Sequence, residues 1–115
     1  MIRLALLTTC LAGTLALPVA AAPKETGFHT MHAIKRLGKK LCMVDHTHAG
    51  KSTPSGTGSK AVAIKLAINN WQAFTAMEYG ASWGKWSNAW AKQESCSGRP
   101  GSWVCEVTAR PCRSR

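Results

Sequence analysis

The clearest periodic segment of the chain spans residues 60–79. Apolar and small residues recur there every three or four positions, as on one face of a helix. That predicted face consists of Ala61, Ile64, Ala67, Ile68, Trp71, Phe74, Thr75 and Glu78. Ser59 is a good N-cap residue, and Gly80 is a good residue to end a helix. The pattern therefore predicts one long amphipathic helix.

A shorter apolar pattern precedes it. Met31, Ile34, Leu37 and Leu41 recur at helical spacing, and this predicts a second helix with a basic opposite face. The basic face consists of Lys35, Arg36, Lys39 and Lys40. Gly38 weakens the helix, so the competing interpretation is a strand over residues 40–44.

The second half of the chain favours strands. Segments 94–96 and 103–109 flank the turn-forming stretch 97–102, and the second of them alternates between apolar and polar residues. Segment 81–92 fits either a short helix or a distorted strand. Composition predicts a flexible terminus at 22–30 and a loop at 49–59. The fold class is therefore α+β, with the long helix packed on a small antiparallel sheet.

The N-terminus has the pattern of a secretory signal peptide. Arg3 supplies a positive charge, residues 4–17 are largely apolar, and residues 19–21 fit the small-x-small cleavage rule. Pro23 disfavours cleavage after Ala22, so we expect cleavage after Ala21. The apolar run is shorter than the roughly 20 residues that a spanning helix needs. Residues 1–21 are thus a predicted signal peptide, and 22–115 form one small domain of a periplasmic or secreted protein.

Charge changes the picture, because the chain carries 15 Lys and Arg against 5 Asp and Glu, a formal net charge of +10. A basic surface favours anionic partners such as an envelope polymer, lipid head groups or an acidic protein. The few carboxylates disfavour paired-carboxylate catalysis. The sequence therefore favours a non-enzymatic binding or structural module that uses Lys35, Arg36, Lys39 and Lys40, with help from exposed tryptophans, of which Trp83 and Trp90 are the best candidates.

Four cysteines follow the predicted signal peptide: Cys42, Cys96, Cys105 and Cys112. An even number in an exported chain favours disulfide bonds, and the spacings lack the C-x-x-C unit of zinc knuckles. Cys96 and Cys105 flank the predicted turn, which favours a bond between them and a second bond between Cys42 and Cys112. A bond between Cys42 and Cys105 is the competing arrangement.

Asp45-His46-Thr47-His48 is the sharpest candidate for chemistry. In an extended strand, an H-x-H spacing places two imidazoles on the same side, near enough to share Zn²⁺ or Cu²⁺. Asp45 could supply a third, oxygen ligand or orient one of the histidines, and His29 or His32 could add further ligands. A less favoured alternative is a small basic hydrolase or nuclease, in which His46, His48 and Lys51 handle protons and phosphate.

The aromatic and cysteine pattern of residues 45–112 resembles that of small exported proteins from alphaproteobacteria. The residues that carry the resemblance are Trp71, Phe74, Glu78-Tyr79-Gly80, Trp83, Trp86, Ala89, Cys96, Trp103, Cys105 and Ala109-Arg110-Pro111-Cys112. The resemblance implies export and disulfide bonding, and it assigns no catalytic residue.

Overall fold

The computed structural model of the protein describes residues 16–18 and 21–115. The predicted signal peptide and its apolar run therefore lie mostly outside the described residues. The described part has one α-helix, six strands and two short 3₁₀ turns, at Phe28–Met31 and Trp86–Asn88. The helix and strands, in chain order, are β1 (Ile34–Leu37), β2 (Lys40–Met43), β3 (His48–Lys51), α1 (Lys60–Tyr79), β4 (Trp90–Arg99), β5 (Ser102–Arg110) and β6 (Cys112–Ser114).

The strands form two small antiparallel sheets. The first has the order β1-β2-β6 and the second has the order β3-β5-β4. Helix α1 packs across β3 and β5 of the second sheet. The α+β prediction is confirmed, with two sheets where one was expected.

Helix α1 has the predicted bounds because both of its ends carry local signals. The Ser59 side chain accepts a hydrogen bond from the Val62 N–H, and Gly80 ends the helix with φ of 111°. Its buried face differs from the predicted one. Every fourth residue is buried, namely Ala63, Ala67, Trp71, Thr75 and Tyr79. Ala61 and Phe74, both expected on the core face, are exposed.

The predicted helix over residues 31–41 is wrong, and the competing strand at 40–44 is nearly right. This region is a hairpin in which Ile34 pairs with Met43 and Leu37 pairs with Lys40. Gly38 lies in its turn with φ of 61°, a left-handed conformation that glycine adopts without steric cost. The same apolar spacing therefore serves a strand, a tight turn and a second strand.

Trp71 lies at the centre of the main core. Its indole N–H lies within hydrogen-bond distance of two backbone oxygens, His48 O at 3.1 Å and Ala109 O at 3.3 Å. These bonds tie α1 to β3 and β5. Gly50 allows the close approach, because a Cβ atom there would lie 2.6 Å from Trp71 Cβ. Packing thus fixes where β3, and with it His48, lies on the helix.

A smaller core consists of Met43, Tyr79 and Trp83, all fully buried. It joins the first sheet to the end of α1. Of the two tryptophans named as candidates for exposure, Trp83 is therefore buried and Trp90 is 44% exposed. Segment 81–92 is neither one helix nor one strand, since it contains a turn, the second 3₁₀ turn and the start of β4.

Both favoured disulfide bonds are present, Cys96–Cys105 and Cys42–Cys112. Each joins residues directly opposite in an antiparallel pair, β4 with β5 and β2 with β6. The second bond fastens the end of the chain to the hairpin β1–β2. The competing Cys42–Cys105 bond is therefore wrong.

The bounds of the remaining loops and strands differ in part from those predicted. Strand β3 occupies 48–51, so the predicted loop at 49–59 begins only at Ser52. Strands β4 and β5 extend well beyond the predicted 94–96 and 103–109. Segment 22–30 runs past the end of α1, where Ala81 N donates to Pro23 O and Thr26 N to Tyr79 O. Within the described residues, no helix is long and apolar enough to cross a membrane.

Candidate metal centre

Three histidines from two segments of the chain meet beside the C-terminal turn of α1. His32 precedes β1, His46 precedes β3, and His48 is the first residue of β3. The His46 ring centroid lies 4.5 Å from that of His32 and 4.8 Å from that of His48. The H-x-H spacing therefore brings its two imidazoles together, as predicted.

His48 is the fixed member of this cluster. It is only 4% exposed, and its Nδ1 lies 2.9 Å from the hydroxyl of Thr75 on α1. Burial lowers the pKa of His48 from the ordinary 6.5 to about 4, although the neighbouring Glu78 carboxylate acts in the opposite direction. The imidazole is therefore neutral at pH 7, which is the form that binds metal ions.

The second nitrogen of His48 faces the Glu78 carboxylate. The distance from Nε2 to Glu78 Oε2 is 3.1 Å, a close polar contact whose angle falls short of a well-formed hydrogen bond, and within the described residues Nε2 has no other partner. A buried polar nitrogen without a partner costs free energy, and such a group calls for an explanation. Here the nitrogen lies in a cluster with His46 and Glu78, two side chains of types that can bind a metal ion.

Ligand atoms of His46, His48 and Glu78 all lie within 4.8 Å of one another. In a tetrahedral zinc site with bonds near 2.1 Å, ligand atoms are roughly 3.4 Å apart. The widest separation must therefore close by about 1.4 Å. His46 and Glu78 are only partly buried, so their side chains can rotate, while His48 keeps its place.

Asp45, predicted either as a third ligand or as a carboxylate that orients a histidine, lies outside this group. Its carboxylate accepts a hydrogen bond from the Ala33 N–H at 3.0 Å and lies 3.6 Å from His32 Nδ1. The Ala33 bond is the main reason that the pKa of Asp45 is lowered, with His32 and His46 adding to it. Asp45 therefore holds the segment before β1 instead of pointing at the imidazole pair.

His32 links this carboxylate to a buried phenol. Its Nε2 lies 2.9 Å from the hydroxyl oxygen of Tyr79, and its ring stacks on His46. Burial, together with the Glu78 carboxylate, raises the pKa of Tyr79 above its ordinary value of 10. The phenol therefore keeps its proton at neutral pH, and the contacts of His32 with Asp45 and Tyr79 hold the ring on which His46 stacks.

Two other residues from the sequence hypotheses lie elsewhere. His29 stacks on Trp83, with ring centroids 5.1 Å apart. Lys51 lies three residues beyond His48 in the alternating strand β3, so it projects from the opposite face, where its Nζ is 3.2 Å from Glu106 Oε2. The structure therefore does not bring Lys51 to His46 and His48, as the nuclease hypothesis required.

The sequence hypothesis missed Glu78 as a partner of the histidines. A usable signal existed, because Thr75 and Glu78 are three residues apart on α1 and so lie on one side of the helix. The sequence alone did not indicate where β3 packs along the side of α1 that carries Thr75 and Glu78. The four predicted anion-binding residues lie on the hairpin β1–β2, away from this centre.

No known protein family, curated protein or solved structure matches the chain. The resemblance to small exported alphaproteobacterial proteins therefore stays a prediction.

Proposed function

We propose that the protein binds one divalent transition-metal ion, Zn²⁺ or Cu²⁺, through His46, His48 and Glu78. The observation that carries this proposal is the buried His48 Nε2, which has no well-formed hydrogen bond within the described residues and lies 3.1 Å from Glu78 Oε2, in a group whose ligand atoms are all within 4.8 Å of one another. Two imidazoles and one carboxylate form a ligand set that zinc proteins use when a fourth position stays open, and imidazole suits Cu²⁺ equally well.

The surroundings of His48 support the same proposal. A histidine that binds a metal through one nitrogen usually donates a hydrogen bond from the other, which fixes the tautomer. Thr75 Oγ1 is in place to accept that bond from Nδ1. The assignment leaves the lone pair on Nε2 directed at the proposed metal position.

The proposed place of action is outside the cytoplasm. The signal-peptide pattern supports it, and so do the two disulfide bonds, which persist in oxidising compartments. Intact-mass analysis of the protein from periplasm and medium tests it. We expect a chain that begins at Ala22 and has no free thiol. A chain that retains Met1 and stays in the cytoplasm would contradict export.

Metal binding is tested by calorimetric titration of the chelator-stripped protein with Zn²⁺ and, separately, with Cu²⁺. We expect one bound ion and at least a tenfold loss of affinity in His46→Ala and in Glu78→Gln. These two residues are preferred to His48 because they are partly exposed, so their replacement disturbs the fold less.

Two matched controls make the result specific. His29→Ala removes a histidine away from the centre and should leave affinity unchanged. Asp45→Ala should change affinity only a few-fold, since this carboxylate acts through His32. Unchanged binding in His46→Ala and Glu78→Gln refutes the site, and an equal loss in Asp45→Ala would restore the ligand set predicted from the sequence.

A further inference from the structure

The first sheet and the residues that adjoin it carry a concentrated positive charge. Six basic side chains lie there, and β1, β2 and β6 contain no acidic residue: Lys35, Arg36, Lys39, Lys40, Arg113 and Arg115. Within the described part of the chain, ion pairs engage Asp45, Glu78 and Glu106, and none of these pairs involves a basic residue of this sheet. The charge is therefore not neutralised within the domain.

Part of this charge surrounds a groove at the turn end of the hairpin. The groove has a volume of about 490 Å³, and its lining consists of Arg36, Gly38, Lys39, Lys40, Ser114 and Arg115. We call it the hairpin groove. The metal centre lies near the opposite end of the same hairpin, where Ile34 pairs with Met43.

The groove is held in shape by covalent and polar contacts. The Cys42–Cys112 bond fastens β6 beside β2, so that Ser114 stays opposite Lys40. The Lys40 ammonium lies 3.3 Å from both Ser87 O and Asn88 O, which anchors one cation at the groove wall. Arg36 and Lys39 remain exposed and able to contact a ligand.

We infer that the hairpin groove docks the protein on a surface of anionic phospholipid, with phosphate groups between Arg36, Lys39 and Arg115. The groove lies at a tight turn and is lined by only six residues, which fits isolated phosphates better than a polymer backbone. None of its lining residues is aromatic, whereas proteins that bind single-stranded nucleic acid stack bases on aromatic side chains. Leu37, only partly buried, adds aliphatic surface beside the charges, whereas Leu41 packs against the smaller core.

The expected change in membrane affinity follows from the number of basic side chains that are replaced. Each Lys or Arg close to an anionic membrane raises binding roughly fivefold at physiological salt. Removal of two such charges should therefore weaken binding roughly 25-fold, and their reversal should weaken it further. The effect should fade as salt rises, because the interaction is screened within a Debye length.

The test is co-sedimentation of the protein, its N-terminus verified by mass, with vesicles of phosphatidylcholine alone or mixed with phosphatidylglycerol. The variant Arg36→Glu/Lys39→Glu reverses two groove charges. The control Lys65→Glu/Lys85→Glu changes net charge by the same amount at exposed positions on α1 and before the second 3₁₀ turn. Both variants must retain two disulfide bonds and the circular dichroism of the parent.

We expect binding to the anionic vesicles only, a loss of at least 25-fold in the groove variant, and at most a few-fold loss in the control. Equal losses in both variants would show diffuse attraction and overturn the inference. So would equal binding to the two vesicle types, full competition by inorganic phosphate, or tighter binding to single-stranded DNA at the same salt. His46→Ala should bind vesicles as the parent does, so the result is independent of the metal centre.

Discussion

Protonation of His48 should destabilise the metal-free protein in mildly acidic solution. In the fold the pKa of His48 is about 4, whereas an unfolded chain has the ordinary 6.5. Between these two pKa values the unfolded state binds more protons than the folded state. The contribution of His48 to the unfolding free energy is therefore fully present above pH 6.5 and is lost as the pH falls towards 4. A difference of this size corresponds to about 3 kcal/mol of unfolding free energy.

Urea unfolding between pH 7 and about pH 4, followed by tryptophan fluorescence, measures this loss. A chelator is present throughout, because bound metal would be released over the same range. Asp45 does not interfere, since its pKa is lowered from 3.8 and its contribution is lost only in more acidic solution.

The comparison that isolates His48 uses two variants. In His48→Gln the side chain no longer titrates, while its amide can still form a hydrogen bond with Thr75. Most of the slope of unfolding free energy against pH should therefore disappear. In His29→Gln a different histidine is removed, and the slope should remain. Parallel curves for the parent and His48→Gln would refute the assignment of the acid sensitivity to this buried imidazole.

Two further predictions concern stability. Serine replacement of Cys42 and Cys112 should cost about 4 kcal/mol, against about 3 kcal/mol for the other bridge, because the two bonds close loops with sequence separations of 70 and 9; equal shifts in non-reducing urea unfolding would contradict this ranking. Gly50→Ala places a Cβ 2.6 Å from Trp71 Cβ and should lower the unfolding free energy by at least about 2 kcal/mol in the same assay. Gly58→Ala, with no atom within 4 Å of the new Cβ, should change it by less than about 0.5 kcal/mol.

Local signals explain which parts of the fold could be predicted. The ends of α1 were predictable because Ser59 and Gly80 act within one helical turn of their own positions. The Cys96–Cys105 bond was predictable because its two residues flank a tight turn. For segment 31–41, apolar spacing alone could not decide, since it suited a helix and a hairpin equally. Only the left-handed conformation at Gly38 separates the two structures.

The candidate site depended more on tertiary structure. His46 and His48 were found from their spacing, but the third ligand was expected next to them in sequence, at Asp45. Glu78 lies beside His48 because Gly50 lets β3 lie close against α1 at Trp71, and it is the ligand in the proposed site. The next two turns of the helix then run past His48. The helix and the two histidines could therefore be predicted from the sequence, whereas the distance between them could not.

The two proposed sites depend on different parts of the domain. The position of His48 is set by the main core, through the contacts of β3 with Trp71, and that of Glu78 by the last turn of α1. The hairpin groove depends on β2, β6 and the Cys42–Cys112 bond. The link between them is the small core of Met43, Tyr79 and Trp83. Since His48 is already buried and neutral, the proposed metal binding requires only the partly exposed side chains of His46 and Glu78 to become ordered.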